Sequence, residues 1–313
     1  MVSTDELYMR RCLQIAANGL GRVRPNPLVG CVVVKGGKIV AEGFHEYHGG
    51  AHAERNALMS TEADLDGATL YVNLEPCSHQ GLQPPCADLV VERKIARVVC
   101  CNDDPNPLVA GGGFAKLEAS GIEVTRHVLE EEGRELNRRF FTFMEQKRPY
   151  IILKWAQSAD GFMAPEREAA QKGYWISTPQ QTRLSHLWRT QEAAILIGSQ
   201  TFIDDQPRLN ARLVSGRDPK PIVLDRRGRL ENVPTHWLHL RSCNVKDVMR
   251  ELFEQKLQSV IVEGGAKLLE NFIAAGLYDE VRIIKGNIKF GKGLAAPALQ
   301  SINLPCSRIH IIQ

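Results

Sequence analysis

Residues 52–101 read HAERNALMSTEADLDGATLYVNLEPCSHQGLQPPCADLVVERKIARVVCC. The apolar spacing after His52 predicts a helix over 52–62. The apolar run at 69–74 reads as a strand, 86–94 as a second helix and 97–101 as a second strand. Downstream, the same rhythm gives a helix at 113–120 and a strand at 122–126. Upstream, Leu28–Val34 and Lys38–Phe44 flank Gly36-Gly37 as the two arms of a β-hairpin. A first helix starts at the Ser3-x-x-Glu6 capping box. Helices alternating with strands in this way predict an α/β sandwich layered around a sheet. Leu129–Gln146 reads as one charged closing helix.

A second α/β run opens at Tyr150. Strands are expected at Ile151–Trp155, Ala193–Ile197, Pro221–Asp225, Ser259–Val262 and Glu280–Ile284. Helices are expected at Thr178–Arg189, opened by a Thr-Pro start, at Val245–Gln255 and at Ala266–Ala275. The boundary is placed near Lys147–Pro149, which gives domains 1–147 and 148–313. With 313 residues, two ordinary domains fit.

The composition excludes several classes of function. It is 43% hydrophobic and 24% charged, as expected of a globular chain with real cores. The net charge of +3 is too small for a nucleic-acid binder, which carries a strongly basic domain or stripe. No apolar run is long enough to span a bilayer, and Met1–Arg11 lacks the apolar segment of a signal peptide. Eight cysteines without a leader point to a reducing compartment, the cytoplasm, with sulfur used as thiol or metal ligand. Self-association is compatible with all of this. Cys12, Cys31, Cys100 and Cys101 lie in apolar stretches and read as core. Cys77 and Cys86 sit in a polar, proline-rich loop and read differently.

One imidazole (His52) and two thiolates (Cys77, Cys86) form a three-donor set that leaves a fourth zinc position for water. Zinc lowers the pKa of bound water from 15.7 to roughly 7, so a hydroxide nucleophile is available at neutral pH. Glu54, two residues beyond the histidine, is better used moving protons than as a ligand. His-x-Glu followed by Pro-Cys and a second cysteine is the zinc-deaminase pattern. A structural half-site or a disulfide between the cysteines is the bland alternative, and the inferred compartment disfavours the bridge. His45, His48 and His52 could also be drawn as a three-histidine site. We read His45 as a substrate-pocket residue and His48 as a loop residue. For His79, ligand, substrate contact and loop packing stay open.

With these residues in place the chain resembles the RibD family of bifunctional riboflavin-biosynthesis enzymes. The resemblance is carried by Asn26-Pro27-Leu28-Val29-Gly30, Gly43-Phe44-His45, His52-Ala53-Glu54, Leu74-Glu75-Pro76-Cys77-Ser78-His79, Pro84-Pro85-Cys86 and Asp104-Pro105-Asn106-Pro107. It implies a cytidine-deaminase-like zinc domain followed by a dihydrofolate-reductase-like α/β domain. In the first domain it implies that Asn26 and His45 contact the substrate and that Glu54 is the catalytic acid/base. Lys154-Trp155-Ala156-Gln157-Ser158-Ala159-Asp160-Gly161, Trp175-Ile176-Ser177, the 205–212 run DQPRLNAR and Val262-Glu263-Gly264-Gly265 extend it into the second half.

There it implies an NADPH site lined by Lys154, Ala156, Trp175, Thr201, Asp205 and Gly265. It also implies a ribosyl-phosphate site lined by Arg189, Leu209, Arg212 and Glu263. The Gly264-Gly265 join between strand and helix would leave backbone N–H groups free for a phosphate, and guanidinium forks suit the same ligand. The implied substrate is 2,5-diamino-6-(5-phosphoribosylamino)pyrimidin-4-one, deaminated and then reduced at the ribose. The GxxxxGK and GxGxxA strings at 286–296 read as turns.

The chain departs from the family in three places. Leu82 and Gln83 replace a basic residue and a threonine, Arg229–Val260 is short, and Ile309–Gln313 is expected to stop before a final strand. Two rivals follow. One is a deaminase of free bases or nucleosides with a non-catalytic second half. The other is a zinc scaffold closed by His45, His48 or His79.

Overall fold

A computed structural model describes residues 2–81, 83–107, 109–166, 174–242 and 244–313. Leu82, named above as a departure, lies outside the described residues. The chain divides into two compact units, Met1–Gln146 and Lys147–Gln313.

The first unit opens with α1 (Thr4–Ala16), whose capping box between Ser3 and Glu6 forms as the sequence predicts. Strands β1 (Gly30–Lys35) and β2 (Lys38–Phe44) make the hairpin. Helix α2 (Ala53–Met59), β3 (Thr69–Leu74), α3 (Cys86–Glu92), β4 (Arg97–Asn102), α4 (Gly112–Ala119) and β5 (Glu123–Thr125) follow. The sheet order is β2-β1-β3-β4-β5. β1 runs antiparallel to β2 and β3, while β3, β4 and β5 are parallel. Alternate strand residues face opposite layers. Cys31, Val33, Val72, Val98 and Cys100 pack with Ala57, Leu58, Val90 and Phe114 on one side. Val32, Val34, Tyr71, Val99 and Cys101 pack with Met9, Cys12 and Ile15 of α1 on the other. The four core cysteines are therefore apolar filling.

The closing segment is two helices and not one: α5 (Glu130–Leu136) and α6 (Arg138–Gln146). The break falls at Asn137, whose side chain turns inward. Its Oδ1 accepts from the Leu28 N–H at 2.8 Å and its Nδ2 donates to the Leu28 carbonyl at 2.9 Å.

The second unit is built on a seven-stranded parallel sheet of order β10-β9-β8-β11-β6-β12-β14. Its strands are β6 (Tyr150–Gln157), β8 (Ala194–Gly198), β9 (Lys220–Leu224), β10 (Leu238–Leu240), β11 (Ser259–Glu263), β12 (Glu280–Lys285) and β14 (Ile309–Ile312). A small antiparallel ribbon joins β7 (Phe162–Pro165) to β13 (Gly293–Ala295). The helices are α7 (Pro179–Gln191), α8 (Ser199–Asp205), α9 (Val245–Glu254) and α10 (Ala266–Ala274). Two apolar layers cover the sheet, one around Leu153, Leu196, Val262 and Phe272, the other around Ile152, Ile195, Val223 and Ile261.

One expectation is corrected at the end of the chain. Ile309–Ile312 is itself an edge strand, paired in parallel with β12 from Val281↔Ile309 to Ile284↔Ile312. The glycine strings at 286–296 are indeed turn and ribbon, because Gly293 begins β13 and not a helix.

Candidate active sites

In the first unit, His52 occupies the extended position just before the first turn of α2. Cys77 follows β3 in the loop, and Cys86 is the first residue of α3. The two N-terminal amides of α3 fold over Cys77: Cys86 N–H donates to its sulfur at 3.3 Å and Ala87 N–H to its carbonyl at 3.1 Å. This brings His52 Nδ1 to 3.5 Å from Cys77 Sγ and 3.4 Å from Cys86 Sγ. All three donor atoms lie within 4.8 Å of one another.

The arrangement fits zinc. Tetrahedral coordination with Zn–N near 2.0 Å and Zn–S near 2.3 Å puts nitrogen and sulfur roughly 3.5 Å apart. The two thiols also influence one another. Cys77 is pulled down to about 4, first by its hydrogen bond with Cys86 and then by His52 against the cost of burial. Cys86 is pushed up, because a second thiolate beside the first is disfavoured and burial adds to the cost. A divalent cation removes that conflict. Among the described residues this is the His/Cys/Asp/Glu group with metal-holding geometry.

Glu54, in the first turn of α2, is only 4% exposed. Burial, followed by the charge of Cys77, raises its carboxyl to about 7, in the range where a group can both take and give a proton at neutral pH. His45 is buried as well. Its Nδ1 lies 2.9 Å from the Ala51 carbonyl, which can only accept, so Nδ1 carries the proton. Burial pushes the imidazole below its ordinary pKa, so the ring is neutral and Nε2 accepts from Asn26 Nδ2 at 3.0 Å. The His45 ring meets that of His52 edge-on at 5.6 Å. Asn26, His45, His52, Glu54, Cys77 and Cys86 therefore form one site. His45 is committed to Ala51 and Asn26, while His48 and His79 are exposed loop residues, so the scaffold reading gains no fourth ligand.

Sequence reasoning missed the residues that hold this site. The Glu75 carboxylate is buried under the start of α4. It accepts from Gly111 N–H (3.0 Å), Gly113 N–H (2.9 Å) and, at 3.4 Å each, Phe114 and Asp104 N–H. Gly113 leaves no room for a side chain, because the Pro76 carbonyl fills that space. Asn73 Oδ1 accepts from Gly30 N–H at 2.7 Å, and its Nδ2 donates to the Leu28 carbonyl at 2.9 Å. Together with Asn137 it fixes the strand entry that follows Asn26. The only sequence signal for these roles was polar residues inside apolar runs.

In the second unit the candidate residues gather at the carboxyl ends of the parallel strands, where open α/β sheets bind ligands. Glu263 ends β11 opposite Lys154 of β6. Its Oε1 lies 3.1 Å from Lys154 Nζ and its Oε2 accepts from Arg189 Nη2 at 2.7 Å. Burial raises the Glu263 carboxyl, but Lys154 and Arg189 outweigh it and hold it at about 2. Arg189 Nη1 donates to the Asn210 carbonyl at 3.1 Å, and Arg212 Nη1 to Asn210 Oδ1 at 3.2 Å. The neighbouring Leu209 is buried, with a φ of 52°.

Lys154, Arg189, Arg212 and Glu263 are thus brought together, with Leu209 beside them. Ala156 lies two residues beyond Lys154, on the same face of β6. Thr201 in α8 accepts from Gly265 N–H at 3.2 Å through its hydroxyl. That contact corrects the expectation of a free amide there, since the Gly265 N–H is engaged within the protein. Asp205 ends α8 and is exposed. Trp175 is 71% exposed. A further buried residue, His186, lies one helical turn before Arg189. Its pKa is lowered to about 4 by burial and by the charges of Arg189 and Arg212.

Comparison with known proteins matches both halves. Residues 2–102 match the cytidine and deoxycytidylate deaminase zinc-binding region, and residues 149–306 match the RibD C-terminal domain. The chain is 38% identical over 320 residues to the riboflavin biosynthesis protein RibD of Aquifex aeolicus, covering 93% of this chain and 89% of that one. It is 36% identical to the protein of the same name from Escherichia coli, covering 88% and 86%. Among solved structures it is similar to a diaminohydroxyphosphoribosylaminopyrimidine deaminase/5-amino-6-(5-phosphoribosylamino)uracil reductase from Thermotoga maritima. The identity is 39% and the TM-score 0.85, over 96% of this chain and 93% of that one. It is also similar to Acinetobacter baumannii RibD, at 33% identity and a TM-score of 0.86, over 95% and 90%. With both halves matched, a lone deaminase carrying an inert second half is not favoured.

Proposed function

Because this chain belongs to the RibD family of bifunctional riboflavin-biosynthesis enzymes, we propose that its two units divide the family's two reactions between the residue sets described above. The enzyme is a deaminase and a reductase. The first reaction removes an amine hydrolytically from 2,5-diamino-6-(5-phosphoribosylamino)pyrimidin-4-one. The second reduces the ribosyl group to ribityl. The domains we assign are 1–147 and 148–313. The observation that carries the deaminase assignment is the convergence of His52 Nδ1, Cys77 Sγ and Cys86 Sγ beside a buried Glu54.

His52, Cys77 and Cys86 would hold the zinc. Bound there, zinc supplies a Lewis acid that brings the pKa of a water down to about 7. Glu54 would take one proton from the water and give it to the ring nitrogen. It would then take the second from the hydroxyl added to the ring and give it to the amine, which leaves as ammonia, a relay suited to a carboxyl raised to about 7. His45 fixes Asn26, whose remaining amide donor and acceptor would be presented to the pyrimidine.

In the second unit C1′ of the ribose would receive a hydride, the chemistry NADPH would supply when bound. Lys154, Ala156, Trp175, Thr201, Asp205 and Gly265 would line the cofactor, and Arg189, Leu209, Arg212 and Glu263 the ribosyl-phosphate. Arg212 is the exposed guanidinium and suits the phosphate. Arg189 is held by Glu263 and Asn210 and suits orientation. Among the described residues no helix is long and apolar enough to cross a membrane. The cytoplasm remains our assignment from cysteine usage.

A coupled assay tests the whole reading. Purified protein with measured zinc should release ammonia from the diamino substrate and then oxidise NADPH in stoichiometric amount. Ammonia release without NADPH oxidation would remove the reductase half, and no ammonia from zinc-loaded protein would remove the deaminase half.

A further inference from the structure

We infer that Asp160 is a positioning residue of the reductase unit: its carboxylate locks the loop after β6 to the loop after β12, and the contact of Phe290 with Tyr174 passes that lock on to Trp175. The inference deepens the reductase reading given above and rests on it.

The lock begins where the chain leaves the sheet. β6 and β12 are paired up to Lys285↔Gln157, so their two loops depart side by side. Ser158, buried at the exit of β6, donates its hydroxyl to Asp160 Oδ1 at 2.6 Å and accepts from Phe162 N–H at 2.9 Å. The carboxylate then reaches across to the other loop. Phe290 N–H donates to both of its oxygens at 3.1 Å, and Gly291 N–H donates to Oδ2 at 2.7 Å. Beside it, Ala159 N–H donates to the Ile288 carbonyl at 2.8 Å and Gly286 N–H to the Gln157 carbonyl at 2.9 Å. The Ser158 hydroxyl, and after it the Gly291 and Phe290 amides, hold the carboxyl at about 2. It is therefore charged at neutral pH, and hydrogen bonds to an ionised acceptor are the strong ones.

The locked loop carries the segment Tyr174-Trp175-Ile176. The Phe290 ring meets that of Tyr174 edge-on at 5.4 Å. At the other end of the segment, Gly286 passes so close to Ile176 that a side-chain carbon at 286 would stand 2.1 Å from the Ile176 carbonyl oxygen. Trp175 is thus held between two residues that both rest on the loop after β12. Tyr174 lies near Asp205 as well: burial, and then that charge, raise its hydroxyl above the ordinary value. Ala156, Trp175 and Asp205, which we assign to the cofactor, belong to three separate segments of chain. Asp160 joins the first of these to the second, and Tyr174 brings the second to the third. Asp160 acts through the loop and through Phe290, which makes it a positioning residue and not a catalytic one.

The test is steady-state kinetics of the reductase step on the full chain, with NADPH and the deaminated intermediate varied in turn. Asp160→Ala should raise the KM for NADPH by roughly tenfold or more, the worth of one hydrogen bond to a charged group. The KM for the intermediate should stay at the wild-type value. Asp160→Asn should recover most of the loss, because its oxygen can face the Phe290 and Gly291 amides and its nitrogen the Ser158 oxygen. Phe290→Leu should raise the KM for NADPH as well, and adding Asp160→Ala to it should add little, since the two lie on one path. A wild-type KM for NADPH in Asp160→Ala overturns the inference. So does an equal rise in both KM values, or a fall in kcat alone, either of which would mean that Asp160 only supports the fold. Additive effects of Asp160→Ala and Phe290→Leu overturn the path, and an asparagine variant as poor as the alanine one would mean that charge and not position matters. If Asp160→Ala does not fold, Phe290→Leu decides, with an unchanged KM for NADPH rejecting the inference. All of these outcomes leave the reductase reading intact, whereas a wild type that does not oxidise NADPH removes both.

Discussion

Replacing Glu263 by glutamine keeps the side chain's shape and removes one charge from the Lys154–Glu263–Arg189 cluster. The carboxyl is held at about 2 against an ordinary value of 4.5, by Lys154 Nζ at 3.1 Å and Arg189 Nη2 at 2.7 Å, with burial opposing them. A depression of about 2.5 units corresponds to roughly 3 kcal/mol of stability at pH 7. The sign follows from linkage. A carboxylate depressed in the folded state stabilises fully above its unfolded pKa of 4.5, and the contribution fades as pH falls toward 2. At pH 3 less than about half should remain.

Trp155, Trp175, Trp188 and Trp237, all four tryptophans of the chain, belong to the second unit, so their fluorescence reports unfolding of that unit alone. Urea titrations of wild type and Glu263→Gln at pH 7 and pH 3 should show the difference shrinking by about half or more, as the linkage requires. A difference below about 1 kcal/mol at pH 7, the level of an exposed ion pair, would refute the buried-cluster account. A difference that does not change with pH would refute the electrostatic origin.

Glu54→Gln should keep stoichiometric zinc while ammonia release falls by about 10²- to 10⁴-fold, the contribution of a positioned acid/base; near-normal turnover rejects the proton relay. Cys86→Ser should lower zinc occupancy and deamination together while leaving NADPH oxidation with the deaminated intermediate intact, read by metal analysis and a reductase-only assay. Loss of both activities would mean that the second unit depends on the metal. Glu75→Ala leaves the amides of Gly111 and Gly113 without an acceptor, so the first unit should lose on the order of 1–3 kcal/mol. Circular dichroism melts of the variant should show this, and a melt unchanged from wild type would mean that water replaces the carboxylate.

The first site was legible because its chemistry is narrow. Few residue types bind zinc, and His52, Cys77 and Cys86 each fall at an element boundary where the backbone can aim a side chain at a common point. The strands between them were legible as well, since buried parallel strands are nearly continuous apolar runs. The second site is assembled from Lys154, Arg189, Arg212 and Glu263, which lie on separate elements. Only the strand order, with β11 inserted beside β6, makes them neighbours. Composition along the chain carries no trace of that insertion, so a resemblance was needed to find it. Short elements such as β7, β10, β13 and α8 were missed for a related reason: three to seven residues hold too few periods to show a pattern. The tie from the Asn137 side chain to the Leu28 backbone was invisible because the two are 109 residues apart in sequence.

Glu54 and Glu263 are the same side chain in opposite surroundings, and the contrast separates their roles. Glu54 is buried beside a thiolate and rises to about 7, so at neutral pH it is populated in both protonation states and can carry a proton in either direction. Glu263 is buried between an ammonium and a guanidinium and sits at about 2, so it stays ionised through the whole working range. It can orient Lys154 and Arg189 and fix their charge, but it has no proton to give. The nearby His186, lowered to about 4, is neutral at pH 7 and has none to spare either. Reduction at the ribose therefore cannot draw its proton from these two groups. A pH profile of the reductase step governed by a group titrating near 2 or near 4 would contradict that division of labour.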